Sequence, residues 1–235
     1  MLVGAAQDNI STSDYKSWVK TVASTSDLNG GGDILAPIFE KMLDGKHFNT
    51  ALEWCAGPAW IGLWLLEKGI GDELVTVDVN EKSVDMVKET SKKHNYNVRP
   101  YLSDNLNSVP KWERFNLVVS NPPNYCNIQK SHPFGFLRDD LRPSDIDWKI
   151  HNNFYNNIRP YLFEDSLMYI SEISPYDKEV YLGGELYDLR PKLPIKEFIR
   201  MTQKNDLRIN NANPYVFDGS SEVDSRILEI EVRNH

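Results

Sequence analysis

Four short apolar runs, Thr50 to Glu53, Leu74 to Asp78, Val98 to Leu102 and Phe115 to Ser120, alternate with segments of helical period. This alternation restricts the fold more than any other feature of the chain. Strands that alternate with helices of ten or more residues pair in parallel, in a sheet covered on both faces. Helices are predicted over Ile61 to Lys68, ended by Gly69, and from the cap Asn80 to about Asn95. Beyond the fourth strand the pattern predicts a long loop from Asn124 to Pro143, a helix from Ile146 to Ile158, a strand over Leu167 to Ile170 and a helix over Ile195 to Thr202. Two further strands follow, near Leu207 to Asn210 and over Ile227 to Val232. The last alternates apolar and acidic residues, as an antiparallel or edge strand does. The fold class expected is therefore α/β, a doubly wound and mostly parallel sheet with an antiparallel C-terminal strand. Residues 1–45, with helices over Asp14 to Ala23 and Ile34 to Leu43, read as a helical extension, and residues 46–235 as the main domain.

Composition narrows the function classes. Of 235 residues 40% are hydrophobic, enough for a real core, and a net charge of −8 argues against a broad phosphate-binding surface. Cys55 and Cys126 lie far apart with no Cys or His at metal-ligand spacing, so neither a disulfide framework nor a zinc site is implied. No basic leader precedes an apolar stretch and no apolar run approaches a membrane span, so a soluble, cytoplasmic protein with no membrane partner is expected.

The fourth strand ends in Asn121-Pro122-Pro123. Two successive prolines cannot extend a sheet ladder, and they leave the carbonyls of Asn121 and Pro122 without competing neighbouring donors. The carboxyl edge of an open α/β sheet is where ligands bind. There the Asn121 amide oxygen and the Pro122 carbonyl together can hold an NH2 group by both protons. After the first strand, Glu53-Trp54-Cys55-Ala56-Gly57-Pro58-Ala59-Trp60-Ile61-Gly62 is rich in small residues, which suits either a packing turn or a turn that approaches a ligand at a helix N-terminus. Asp78 ends the second strand about 20 residues after Gly57, the spacing of a ribose-binding carboxylate. Asp104, after the third strand, reads either as a turn residue or as an acceptor for an adenine amino group.

In these residues the chain resembles the class I S-adenosylmethionine-dependent methyltransferases, of Rossmann-like fold. Within them it resembles the amino-methylating Asn-Pro-Pro branch, such as the release-factor glutamine methyltransferases and other small-domain methyltransferases. The resemblance covers roughly residues 48 to 172. It implies S-adenosyl-L-methionine as cofactor, held by Glu53, Cys55, Ala56, Gly57, Asp78, Val79, Asp104, Asn105 and Asn121. It implies Asn121 and Pro122 as catalytic residues and Pro123, Tyr125 and Phe134 on the substrate side, and no metal. Two departures stand out: Cys55 and Ala59 occupy places where the family usually has glycine, and Asn124 displaces the aromatic by one residue, to Tyr125. His132 in the long loop reads as a surface residue before a catalytic base. The six tryptophans read as core or lining residues. The 45 residues before the first strand leave no room for a full helical substrate domain, so Gly30 to Leu43 is expected to close over the cofactor.

Planar amino and amide nitrogens are the acceptors this resemblance implies. The loop from Asn124 to Pro143 sets Lys130, Arg138 and Arg142 against Asp139 and Asp140, nearly balanced in sign. A protein glutamine side chain is accordingly placed ahead of a nucleobase amine, and a small metabolite third. A cofactor-binding scaffold subunit without turnover is the competing class, and a nicotinamide-dependent oxidoreductase is disfavoured by the missing glycines.

Overall fold

The computed structural model describes residues 13–22, 35–123, 145, 148–173, 180–182, 185–187, 195–215 and 225–233. Seven strands form one sheet in the order β3-β2-β1-β4-β5-β9-β8. They are β1 (Phe48–Trp54), β2 (Gly71–Asp78), β3 (Val98–Leu102), β4 (Phe115–Ser120), β5 (Leu162–Ile173), β8 (Leu207–Tyr215) and β9 (Ser225–Val232). The first five pair in parallel, whereas β9 is antiparallel to both β5 and β8. This is the expected doubly wound sheet with its reversed C-terminal strand. A small antiparallel pair, β6 (Val180–Leu182) with β7 (Glu185–Tyr187), was not anticipated. Gly183-Gly184 between two apolar segments is the hairpin signal that could have shown it.

The chain lays down β1, β2 and β3 in one direction, then places β4 on the other side of β1. That reversal opens a crevice at the carboxyl ends of β1 and β4, where an open α/β sheet takes its ligand. Both strands earn their central places by burial: Ala51, Leu52 and Trp54 in β1, and Phe115 and Leu117 to Val119 in β4, are at most 3% exposed. Of the two readings of the alternation in β9, the antiparallel one holds and the edge one does not. Leu228, Ile230 and Val232 fill the core while Glu229 and Glu231 lie half-buried on the other face, and β8 covers the edge.

Among the described residues the helices are α1 (Ser13–Val22), α2 (Leu35–Met42), α3 (Trp60–Glu67), α4 (Glu81–His94), α5 (Lys149–Ile158) and α6 (Ile195–Gln203). Asn80 caps α4, its side chain accepting from the Lys82 amide, and Asn95 closes the helix in the left-handed conformation. One core joins α1, α2 and α3: Tyr15, Trp18, Phe39 and Leu43 pack with Trp60 and Trp64. The Trp18 and Trp64 rings cross at 5.1 Å, and the Trp64 indole donates to Glu40 at 2.7 Å. Residues 35 to 43 of the segment expected over the cofactor thus lie on α3; residues 30 to 34 fall outside the described residues. The second core places α5 and α6 on the opposite face, with Trp54, Phe154, Tyr155 and Phe198. Five tryptophans are buried as expected. Trp112 is the correction, 67% exposed on a turn, with its ring against the Arg99 guanidinium. Among the described residues no helix is long and apolar enough to cross a membrane.

Candidate active site

Three residues with positive φ shape the turn after β1: Cys55 (53°), Gly57 (51°) and Ala59 (59°). The Ala56 amide donates to Val77 O and the Ala59 amide to Ala56 O, which holds the turn against β2 and leads into α3. An L side chain in the left-handed region costs about 1–2 kcal/mol. Cys55 and Ala59 therefore carry strain where glycine would not. Ala59→Gly is expected to raise stability by about 1 kcal/mol in urea denaturation; a loss instead would show that packing of the fully buried Ala59 methyl outweighs the strain.

Glu53 is the last residue but one of β1, before this turn. It is 3% exposed, and its Oε2 accepts from the Gly62 amide at 2.7 Å, in the first turn of α3. Burial pushes its carboxyl up to about 8 against the opposing pull of the Gly62 and Ile61 amides, and Asp78 adds to the rise. Gly62 is required here: a Cβ would come within 2.7 Å of Glu53 Oε2 and 2.6 Å of a Leu74 methyl. Cys55 follows, a free thiol pushed well up by burial and then by the field of Asp78, Asp145, Glu172 and Asp104.

Asp78 joins two loops. Its Oδ2 accepts from the Gly57 amide at 2.7 Å and its Oδ1 from the Asn80 amide at 2.8 Å. The first bond gives the spacing between Gly57 and Asp78 its physical meaning, since the carboxylate fixes the small-residue turn. Beside it, Val79 and Leu102 are each 47% exposed, and Leu102 is the register partner of Asp78 on β3. Two exposed apolar side chains flanking a carboxylate suit a flat heteroaromatic ring. Val79 was expected; Leu102 was missed, although an apolar residue ending a strand at the ligand edge is the signal. Asp104 is exposed. Asn105 is buried in the left-handed conformation, and its Oδ1 accepts from the Trp54 indole at 3.0 Å, so its side chain supports the end of β1.

Asn121 and Pro123 are half-buried and Pro122 is buried at the end of β4. The register aligns Ser120 with Trp54, and the Ser120 hydroxyl donates to Trp54 O at 2.5 Å, so the Asn-Pro-Pro turn starts level with the Cys55 turn. No hydrogen bond ties the Asn121 amide to another described residue. Tyr125, Phe134 and His132 lie outside the described residues.

Sequence reasoning missed a buried trio next to this turn. His151, fully buried in α5, has Nδ1 at 2.6 Å from Asp145 Oδ2 and Nε2 at 3.1 Å from Glu172 Oε1. Asp145 also accepts from the Ile150 and His151 amides at 2.8 and 2.9 Å, which satisfies the start of α5. Burial lowers the basicity of His151, but Glu172 and Asp145 more than offset it and raise its pKa to about 9. In its charged form the ring donates to both carboxylates, one from each nitrogen. The signal was a histidine within the apolar stripe His151, Phe154, Tyr155, Ile158. By contrast, a cleft of about 590 Å³ lined by Glu164, Asp165, Arg208 and Arg233 lies at the opposite edge of the sheet, by the start of β5.

Comparison with known proteins adds a domain match and a fold likeness. The model of the methyltransferase small domain matches residues 19–132. No curated protein matches the chain by sequence. Among solved structures, an S-adenosylmethionine-dependent methyltransferase from Clostridium acetobutylicum superposes with a TM-score of 0.57 at 12% identity, covering 93% of this chain and 97% of that one. A ribosomal-protein methylase from Lactobacillus delbrueckii gives 0.56 at 13%, covering 85% and 77%. A 16S rRNA methyltransferase from T. thermophilus, solved with AdoMet and guanosine, gives 0.54 at 13%, covering 90% and 44%. With that domain matched from residue 19 to 132 and this sheet order around it, the chain has the fold of the class I, S-adenosylmethionine-dependent methyltransferases.

Proposed function

We propose that this protein transfers a methyl group from S-adenosylmethionine to a planar amino or amide nitrogen, first of all a protein glutamine side chain. The observation that carries the reading is Asn121: a half-buried amide at the switch point of the sheet, just past the end of β4, with no hydrogen bond to another described residue. The residues present fit the cofactor. Small residues from Cys55 to Ala59 form a turn that a ligand can approach, Asp78 offers carboxylate oxygens to ribose hydroxyls, and Val79 with Leu102 flanks an adenine. Asp104 serves the adenine amino group, and Glu53 stiffens the turn.

S-adenosylmethionine, when bound, supplies an electrophilic methyl group. The chain does the rest by orientation and charge. Asn121 Oδ1 and the Pro122 carbonyl accept the two protons of the acceptor NH2, and they compensate the positive charge that grows on nitrogen as it loses its delocalised lone pair. Pro123, Tyr125 and Phe134 are assigned to the substrate side. The reading keeps residues 1–45 as a helical extension to the main domain and places the enzyme in the cytoplasm.

Asp78→Ala is expected to weaken cofactor binding by about 1.5–3 kcal/mol, the range for hydrogen bonds to a charged group. Calorimetry giving equal affinity for wild type and variant would remove Asp78 from the ribose site. A nucleobase amine is the second acceptor reading, favoured by the likeness to a 16S rRNA methyltransferase solved with guanosine. Product analysis separates the two: methylglutamine after enzymatic proteolysis of labelled extract supports the first, and a methylated purine after nuclease digestion overturns it.

A further inference from the structure

The Asp145, His151 and Glu172 trio connects two elements of the fold at the level of the proposed chemistry. Asp145 precedes α5 and caps it, His151 stands in its first turns, and Glu172 lies near the end of β5. β4 and β5 pair in parallel up to Ser120 opposite Ile170, and Glu172 stands two residues further along β5, towards the end of the sheet where the Asn-Pro-Pro turn begins. The Trp54 ring lies 5.5 Å from the imidazole and Trp54 is the register partner of Ser120, so the trio adjoins the ends of β1 and β4. The surroundings are otherwise apolar and aromatic: Trp54, Trp148 and Phe198 set their rings across the imidazole at 5.5, 5.0 and 5.7 Å.

A buried ionic trio is a costly way to hold a core together, since apolar packing of the same volume is often as stable. Here the cost is not fully offset within the described residues, because Glu172 Oε2 is buried without a hydrogen-bond partner. What the trio supplies that apolar packing cannot is a fixed direction. Each ring nitrogen faces one carboxylate oxygen, so the imidazole cannot turn without breaking both bonds.

We propose that His151 is a positioning residue of the methyl-transfer site: held by Asp145, it fixes Glu172 and with it the end of β5 that backs the Asn121-Pro122-Pro123 turn. The inference rests on the reading of Asn121 and the Pro122 carbonyl as acceptors at the position of the transferred group.

Sinefungin tests this without knowledge of the methyl acceptor. It carries a protonated amine on carbon where the cofactor carries its methyl sulfonium, so its affinity relative to S-adenosylhomocysteine reports how well Asn121 and Pro122 are aimed. In wild type the ratio should favour sinefungin. His151→Gln should lower it by about tenfold, the equivalent of one charge-assisted hydrogen bond, while S-adenosylhomocysteine affinity stays within about twofold. A purely structural histidine would change the melting temperature and leave the ratio alone. Should His151→Gln not fold, Glu172→Gln gives the decisive ratio, since it keeps side-chain shape and removes a buried charge. An unchanged ratio in the variant that folds overturns the positioning role. Asn121→Ala is the separate arm: if its ratio also stays at the wild-type value, the reading of Asn121 fails. A wild-type protein that binds neither compound overturns both.

Discussion

Asn121→Ala should reduce methyl transfer by roughly 10²–10³ while cofactor affinity barely moves. The magnitude follows from other positioned polar groups that act on charge developing in a transition state, where removing one costs about 2.7–4 kcal/mol. The asymmetry follows from the fold. The proposed ribose and adenine side is formed by Asp78, Val79 and Leu102 at the ends of β2 and β3, whereas Asn121 stands across β1 at the end of β4. Its removal leaves the Asp78 bonds to Gly57 and Asn80 untouched. Turnover measured with labelled cofactor, set beside calorimetry with S-adenosylhomocysteine, gives both quantities. Turnover at the wild-type level would take Asn121 out of the chemistry; equal losses in turnover and affinity would make it a cofactor ligand only.

Stability should fall steadily as pH rises from near neutral to about 9.5, and His151 should account for the upper part of that fall. The groups facing its ring are Asp145 before α5, Glu172 on β5, Tyr155 on α5 and, through its field, Cys55 after β1; Trp54 and Phe198 close the rest with apolar rings. A histidine whose folded-state pKa is raised from 6.5 to about 9 contributes stability that is complete below 6.5 and lost as pH passes through 9. The shift corresponds to roughly 3 kcal/mol at most. Glu53 acts in the same direction at lower pH: its carboxyl, raised from 4.5 to about 8, binds protons more tightly in the folded chain, so stability drops between those values. Urea denaturation of wild type and His151→Gln across this range should show the variant losing little beyond pH 8. Parallel curves for the two proteins would contradict the charged state of His151.

The parts of this architecture written in local sequence were legible. Phe115 to Ser120 reads as a buried strand because no polar residue interrupts its core face, and the prolines behind it fix where it stops. The Asn80 cap and the Asp78 strand end lie within a few residues of the elements they define. What depends on partners distant in the chain was not legible. Nothing near His151 announces that Glu172 will face it from β5, and nothing in Trp54 foretells that its indole will hold Asn105. The alternation in β9 marked an antiparallel strand, as one of its two readings had it, but it did not tell that β8 would cover the edge. Trp112 was assigned to the core on residue type alone, and a turn rich in charge keeps it outside.

The most direct measurement is a crystal structure of the protein with S-adenosylhomocysteine. The ribose hydroxyls should lie on the Asp78 carboxylate, the adenine between Val79 and Leu102, and the sulfur should face Asn121 and the Pro122 carbonyl across the turn from Cys55 to Ala59. A ligand with its ribose away from Asp78, or seated in the cleft by Glu164 and Arg208 at the other edge of the sheet, would contradict the account.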